Sequence, residues 1–481
     1  MVNRIYNFIG GHFVPPKSDK FIKVYEPATG IIYAEASNSN LSDVEDAYAS
    51  AEKAFPIWSR LSIDKRAEFL NRIADGIEDR IDEFAEYESR DTGKPIKLAR
   101  TVDIPRAISN FRFFASYGIK FKFEDSLDSK TSQNKIIRSP LGVVGCISPW
   151  NLPLYLFTWK IAPALIMGNT VIAKPSEITP FTAYILGQIC KDVFLPEGVL
   201  NIIHGNGQLA GKSLVAHPKV KAISFTGGTL TGASIAKKAA PTFKKVSLEM
   251  GGKNPAIIFE DCDYKKMLET VVLSSFSNQG QICLCSSRLL IEDSIYEKFK
   301  LDFIEKVSGL IIGDPKEIDT QFGSISSRGH FKKILNYIEN SKKEGARILI
   351  GGRSIKFKGR CKRGWFIEPT VIEGLDNTSA LNQEEVFGPV VTLQSFRTES
   401  MAIKIANDID YGLSATIWTK DNKKSNRLAS NIDAGVVWVN CWMVRDLRTP
   451  FGGMKRSGLG REGGEEVLKF FTEQKNICTT L

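Results

Sequence analysis

The sequence predicts an α/β protein: two α/β domains in tandem, with a small β element outside both. Three observations carry this. Between residues 141 and 240, short apolar β-rich runs alternate with helix-length stretches, the pattern of βαβ units on a parallel sheet. From residue 256 a second series alternates in the same way. Residues 133–139 and the last dozen residues read as strands belonging to neither series. Exposed strands of that kind often pair between subunits.

The elements follow in order. Residues 41–58 and 64–90 read as amphipathic helices, the second placing Phe69, Leu70, Ile73, Ile77 and Ile81 near helical spacing. Ser42 and Asp64 are candidate N-caps. Residues 104–117 are a further helix. In the first series, strands are expected at 141–147, 170–173, 199–204 and 222–225. The helices between and after them cover 153–165, 179–194, 207–216 and 231–240. In the second, strands are expected at 256–259, 288–291, 347–350, 366–371, 390–396, 415–418 and 436–440, with helices at 262–277 and 295–308.

Composition narrows the function classes. The 481 residues are 43% hydrophobic and 25% charged, an ordinary globular balance. That length suggests two or three domains of roughly 100–200 residues. Residues 1–11 hold no apolar run fit for a signal peptide. The most apolar region, 141–173, is broken by Pro149, Asn151, Pro153, Lys160 and Pro163. A membrane span needs about 20 apolar residues with few charges, so this region reads as core. Eight cysteines without a CxxC pair fit reduced thiols in a cytoplasmic setting. Four scattered histidines form no ligand pair, so no metal site is expected. The net charge of +10 is spread out, without the basic stripe and interleaved aromatics that nucleic acid requires. A mild positive field favours anionic ligands such as dinucleotides and carboxylates.

Six segments could carry chemistry, and each also has a plain structural reading. Phe225-Thr-Gly-Gly-Thr-Leu-Thr-Gly232 follows a strand and opens a helix, where glycines let backbone approach a phosphate. It lacks the GxGxxG spacing, and alone it is as well read as a structural turn. Lys174-Pro-Ser-Glu177 stands at a strand's carboxyl end, where open α/β sheets bind ligands. Its carboxylate could accept ribose hydroxyls and disfavour a 2′-phosphate; a surface turn is the alternative. Glu249-Met-Gly-Gly-Lys-Asn-Pro255 places a glutamate where burial could raise its pKa and let it activate water. In Asn278-Gln-Gly-Gln-Ile-Cys283 a thiolate could be exposed after a helix, although isolated cysteines are usually small core residues. Cys285 could point elsewhere. Asn151, in Pro149-Trp-Asn-Leu-Pro153, could donate to a developing oxyanion or simply cap a turn. Glu384-Glu-Val-Phe-Gly-Pro389 could hold a ribose and a flat ring, or merely enter a strand.

Together the six resemble the aldehyde dehydrogenase superfamily in order and approximate spacing along essentially the whole chain. The resemblance implies a Rossmann-like NAD-binding domain (1–120 and 141–250), an α/β catalytic domain (251–450) and a small β oligomerisation arm (121–140 and 465–481). It implies NAD as cofactor and a homo-oligomer, dimer or tetramer. Cys283 would be the nucleophile, Asn151 with the Cys283 N–H the oxyanion holder, and Glu249 the activator of hydrolytic water. Cofactor contacts would come from Ser148 and Trp150, from Lys174, Ser176 and Glu177, and from Gly207. Phe225, Thr226, Gly227 and Gly228 would form the phosphate turn, with Gly251, Glu385 and Phe387 at the nicotinamide end. Gly228 departs from the family's usual Ser, which removes a hydroxyl but keeps backbone donors.

Residues 103–114 and 440–453, with 458–464 and 471–478, are similar to the 2-aminomuconic and 2-hydroxymuconic semialdehyde dehydrogenases. Such substrates carry a carboxylate away from the aldehyde, and Arg106 and Arg445 match the arginines that would anchor it. Betaine aldehyde, succinate semialdehyde and retinal remain alternative substrates, and a catalytically silent NAD-binding protein is the alternative of another class. Cys283, Glu249 and Asn151 occurring together argue against the last.

Overall fold

A computed structural model describes residues 3–481. The first α/β series forms an eight-stranded sheet. Its five parallel strands lie in the order Lys245–Glu249, Ala222–Thr226, Val143–Ile147, Thr170–Lys174, Leu200–Ile202. Numbered along the chain this is 5-4-1-2-3, the doubly wound order. Strand order reverses between Val143–Ile147 and Ala222–Thr226, and ligands bind outside the carboxyl ends at such a point. Val143–Ile147 and Thr170–Lys174 are buried at every residue, which is why Val143–Ile147 and the core of the second, 171–173, read as apolar runs rather than alternating ones.

The helix Pro153–Ile166 is buried along its whole length. It shares a core with the helices Ile63–Asp79 and Ile104–Ile119. The helix expected at 64–90 is in fact two, because Arg80 leaves helical geometry at φ −113°, ψ 26°. The expected caps move as well. Asn40, not Ser42, caps Leu41–Arg60 in a capping box with Asp43, and Ser62 rather than Asp64 caps the next helix. A π-helical turn, Ala99–Asp103, leads directly into Ile104–Ile119 and so sets the pitch at which Arg106 leaves its helix.

The N-terminal strands were not anticipated. Asn3–Ile5, Phe21–Glu26 and Ile31–Ser37 make a separate sheet, while Asn7–Ile9 and His12–Val14 extend the large one antiparallel. Runs of three residues are too short to show an alternation.

The second series forms a seven-stranded sheet in the order Arg347–Ile350, Thr370–Glu373, Val390–Phe396, Ser286–Glu292, Asn254–Ile258, Ser414–Trp418, Val436–Val439. It is parallel except at the Arg347–Ile350 edge. The strand expected at 366–371 divides around Pro369: Phe366–Ile367 pairs with Ser354–Ile355, and Thr370–Glu373 enters the main sheet. Helices Arg328–Lys343, Glu399–Asn407 and Asn422–Asn431 fall where the periodicity assigned nothing. Glu124–Asp128, Ser132–Pro140 and Thr472–Thr480 form a separate antiparallel sheet, and all of Glu124–Asp128 is exposed. Among the described residues no helix is long and apolar enough to cross a membrane.

Candidate active site

Cys283 sits between the helix Tyr264–Phe276 and the strand Ser286–Glu292. After the helix, Asn278, Gln279 and Gly280 adopt φ of +50°, +57° and +69° in succession. Two non-glycine residues in the left-handed region cost energy, and they persist only where the surroundings impose them. Here the surroundings are hydrogen bonds. Gln279 Nε2 donates to Ser324 O at 3.2 Å, and Gln281 Oε1 accepts from Ser326 N–H at 3.1 Å. Asn254 Nδ2 donates to the carbonyls of both Cys283 (2.7 Å) and Cys285 (2.9 Å). The turn is therefore clamped from the neighbouring strand. Cys285 is buried with its Sγ toward Ser277 O at 3.8 Å, whereas Cys283 is only half-buried beside the same cavity.

Asn151 follows the first sheet's strand Val143–Ile147 and reaches this turn. Its Nδ2 donates to Gln281 O at 2.9 Å, while Asn278 Nδ2 donates to Asn151 O at 3.0 Å. One amide hydrogen of Asn151 thus fixes its orientation and the other remains to be used. Among the described residues, the Cys283 N–H has no backbone or side-chain acceptor. The two expected oxyanion donors converge on one turn, each with one N–H left uncommitted.

Glu249 ends the strand Lys245–Glu249. Its side chain is buried and neither carboxylate oxygen has a hydrogen-bond partner. Burial first, then the charge of Glu462, raises its pKa well above the usual carboxylate range, against the pull of Lys160, Arg461 and Arg445. A Cβ on Gly452 would stand 2.8 Å from Glu249 Oε1, so glycine there leaves the carboxyl its room. Burial also pushes the Cys283 thiol up, with Glu385 and Glu249 adding and Arg445 opposing. Cys283, both glutamates and Arg445 thus share one electrostatic neighbourhood.

Glu385, Phe387 and Cys283 line one small cavity with Gly252 and Lys253. Glu385 Oε1 accepts from Gly252 N–H at 3.0 Å, and burial raises this carboxyl to about 7 against that bond. A Cβ on Gly251 would fall 1.9 Å from Glu385 Oε2, so only glycine admits the carboxylate. Phe387 takes φ +59°, and its ring meets Trp150 edge-on at 5.2 Å. His330 Nε2 lies 2.6 Å from Phe387 O, and burial lowers its pKa to about 4. A neutral imidazole therefore donates to that carbonyl and braces the turn.

The residues expected to hold a dinucleotide border the strand-order reversal. Gly228 precedes the helix Thr229–Ala239, whose N-terminus has no side-chain cap, and nothing lies within 4 Å of a Cβ placed on Gly228. Thr226 Oγ1 and Ser148 Oγ are buried without partners. An open backbone cradle, free N–H groups and orphaned hydroxyls suit a phosphate-bearing ligand. Gly227 is tighter: its N–H donates to Glu249 O at 3.0 Å, and a Cβ on it would fall 2.5 Å from the Phe225 ring. Gly207 begins a turn equally open to solvent. Lys174 is buried, with Nζ 2.9 Å from Pro175 O and 3.2 Å from Glu177 Oε2, while Ser176 Oγ accepts from Ile178 N–H. Burial lowers the Lys174 pKa.

Arg445 packs over Phe451 at 4.1 Å and Trp159 at 5.3 Å and donates from Nη1 to Tyr155 Oη at 2.7 Å. Arg106 lies 5.6 Å from the same tyrosine's ring. Among the described residues neither arginine forms a salt bridge with a protein carboxylate. Among those residues there is also no group of three or more His, Cys, Asp or Glu disposed to hold a metal. Asn254 and Tyr155 had no role in the sequence reading. Asn254 stood in the Glu249–Pro255 segment, and Tyr155 was hidden in an apolar helix.

The aldehyde dehydrogenase family profile matches residues 13–477. The chain is 48% identical over 474 residues to 2-aminomuconic semialdehyde dehydrogenase of Danio rerio, covering 98% of this chain and 97% of that protein. It is 42% identical to 2-hydroxymuconic semialdehyde dehydrogenase of Pseudomonas sp. strain CF600, covering 100% of each. Its fold matches betaine aldehyde dehydrogenase from Staphylococcus aureus in complex with NAD+ at a TM-score of 0.96 and 36% identity, covering 99% of this chain and 94% of that one. The chain belongs to the aldehyde dehydrogenase family.

Proposed function

We propose that this enzyme oxidises a muconic-type semialdehyde bearing a carboxylate, with NAD as cofactor, to the corresponding dicarboxylic acid. The observation that carries the substrate class is the pair Arg445 and Arg106: both lack a protein carboxylate, and Arg445 acts electrostatically on Cys283. A cation pair held this way suits an anionic substrate and repels a cationic one such as betaine aldehyde. The relatives named for muconic semialdehydes support the same reading.

The chemistry follows from the residues. Cys283 gives its proton to solvent and its sulfur bonds the aldehyde carbon. Asn151 Nδ2 and the Cys283 N–H receive the charge that develops on oxygen. Bound NAD supplies the acceptor for the hydride that leaves this carbon. Glu249 then takes a proton from water, the hydroxide adds to the thioester, and the acid departs as the Cys283 thiol re-forms. A base with a raised pKa keeps useful driving force near neutral pH. Glu385, braced by Gly252, binds the nicotinamide ribose, with Phe387 beside the ring. Lys174, Ser176 and Glu177 take the adenine ribose, where the Glu177 carboxylate opposes a 2′-phosphate. Phosphates lie on the turn from Thr226 to Gly228. Residues 1–120 and 141–250 serve the cofactor, 251–450 the catalysis, and the sheet around 121–140 and 465–481 joins copies in a dimer or tetramer.

The test is a substrate panel read by NADH absorbance: 2-aminomuconic or 2-hydroxymuconic semialdehyde, succinate semialdehyde, betaine aldehyde and hexanal, each with NAD and with NADP. The expected result is the highest kcat/KM for a muconic semialdehyde with NAD. Equal use of hexanal overturns the substrate reading.

A further inference from the structure

Tyr155 lies in the first turn of Pro153–Ile166 and is 2% exposed. Its ring packs with Leu152, Leu156, Ile282 and Phe451 in the apolar cluster that Cys283 borders. A tyrosine so placed would pass for core, except for its hydroxyl. Arginine has donors and no acceptor, so in the 2.7 Å contact with Arg445 Nη1 the phenol oxygen accepts. A phenol has one proton of its own. Among the described residues, that proton goes to no protein acceptor. A buried donor left without a partner is costly, and its usual explanation is a ligand or a water.

The surroundings fix where that donor sits. Asn110 Nδ2 donates to Tyr155 O at 3.0 Å and to Thr158 Oγ1 at 3.0 Å. Asn110 lies one helical turn after Arg106, so a single buried amide ties the Arg106 helix to the Tyr155 helix. Arg445, from a different segment, is held over the Phe451 and Trp159 rings and meets the tyrosine's oxygen. Tyr155 is thus the point where both arginines converge, Arg106 toward its ring and Arg445 on its oxygen.

We propose that Tyr155 is a specificity-determining residue that touches substrate: its phenolic O–H donates to the carboxylate that Arg445 and Arg106 hold, completing a three-point clamp. This rests on the carboxylated-substrate reading above. The accepted bond from Arg445 polarises the phenol and makes its proton a better donor to an anion.

Tyr155→Phe keeps the ring and removes only the oxygen. The expected result is a loss in kcat/KM of about ten-fold or more for 2-hydroxymuconic semialdehyde, carried mainly by KM, and a loss at least about five-fold smaller for hexanal. A purely positioning role, acting through Arg445, is separated by a double-mutant cycle. If the hydroxyl touches the carboxylate, Tyr155→Phe still weakens use of the carboxylated aldehyde in an Arg445→Ala background. A Tyr155→Phe effect that vanishes in that background, or equal losses for both aldehydes, overturns the proposal. The wild-type ratio keeps the two readings apart: no preference for the carboxylated aldehyde defeats the substrate assignment. A clear preference that Tyr155→Phe leaves intact defeats only the role of Tyr155.

Discussion

Two of the sites where the molecule buries charge do so in opposite ways. At the start of the helix Pro153–Ile166, Lys94 is fully buried with an ion pair to Asp103 and another to Glu88 at 3.5 Å, and Glu88 also accepts from Leu154 N–H. Three segments meet there: the helix Ile81–Thr92, the π-helical turn before Arg106, and the start of Pro153–Ile166. Burial raises Glu88 to about 7, with Lys94 pulling against it. In the cleft, Glu249 is buried with no partner, and Arg445 has a hydroxyl but no carboxylate. The first cluster satisfies its charges internally and holds the scaffold. The second leaves them unsatisfied, which a protein sustains only where a ligand or reaction completes them.

Breaking the comparison starts with the cleft. Cys283→Ala should lower dehydrogenase kcat roughly ten-thousand-fold or more without lowering Tm, since no substitute nucleophile stands in its place. Retained NADH production would refute its role. Glu249→Gln should lower steady-state turnover by roughly 10²–10⁴, the usual worth of a general base, yet leave a stoichiometric NADH burst. A missing burst would assign Glu249 to the first step instead. Because Glu249 has no bond to lose, the same variant should not destabilise the fold. Lys94→Met should do the reverse. Removing one member of a buried ion cluster costs about 3–5 kcal/mol of stability by urea unfolding. An unchanged unfolding midpoint would show that the cluster is not a fastening.

Only the cleft side of this contrast is legible in the sequence, and what is not has a physical reason. The parallel strands were readable because burial on both faces makes Val143–Ile147 or the stretch 255–258 continuously apolar. Three of the strands before residue 40 escaped because they are only three residues long, and Asn3–Ile5 is held by Ile31–Ser37, distant in sequence. The break at Arg80 interrupts no apolar spacing, since Ile77 and Ile81 continue it. At the site, Cys283, Glu249 and Asn151 were found by motif order, which encodes their types but not their mutual bonds. Lys94, Asn254, Asn110 and Tyr155 take their meaning from contacts across domains or helices, such as Asn254 reaching both Cys283 O and Cys285 O. No local pattern announces those.

Arg445→Ala sharpens the contrast further. Loss of a charged hydrogen-bond donor should cost about 1.5–3 kcal/mol, or roughly 10–150-fold in kcat/KM, for the carboxylated aldehyde, with a smaller loss for hexanal. Equal losses would mean that the arginine supports the fold of the cleft and does not read the substrate.

The smallest effect tests the cleft's electrostatics without any turnover. Burial, Glu385 and Glu249 hold the Cys283 thiol above its ordinary range, so alkylation by iodoacetamide should keep rising through alkaline pH rather than level off near pH 7. Removing a neighbouring anion favours thiolate, and removing a cation disfavours it. Glu385→Gln should therefore move the profile to lower pH and Arg445→Ala to higher pH, each by roughly one unit or less. The Glu385 effect has its own pH limit. That carboxyl is raised to about 7, so below this pH it is largely neutral and its removal should change little. Shifts of the same sign in both variants would mean that loosened packing, not charge, controls the thiol.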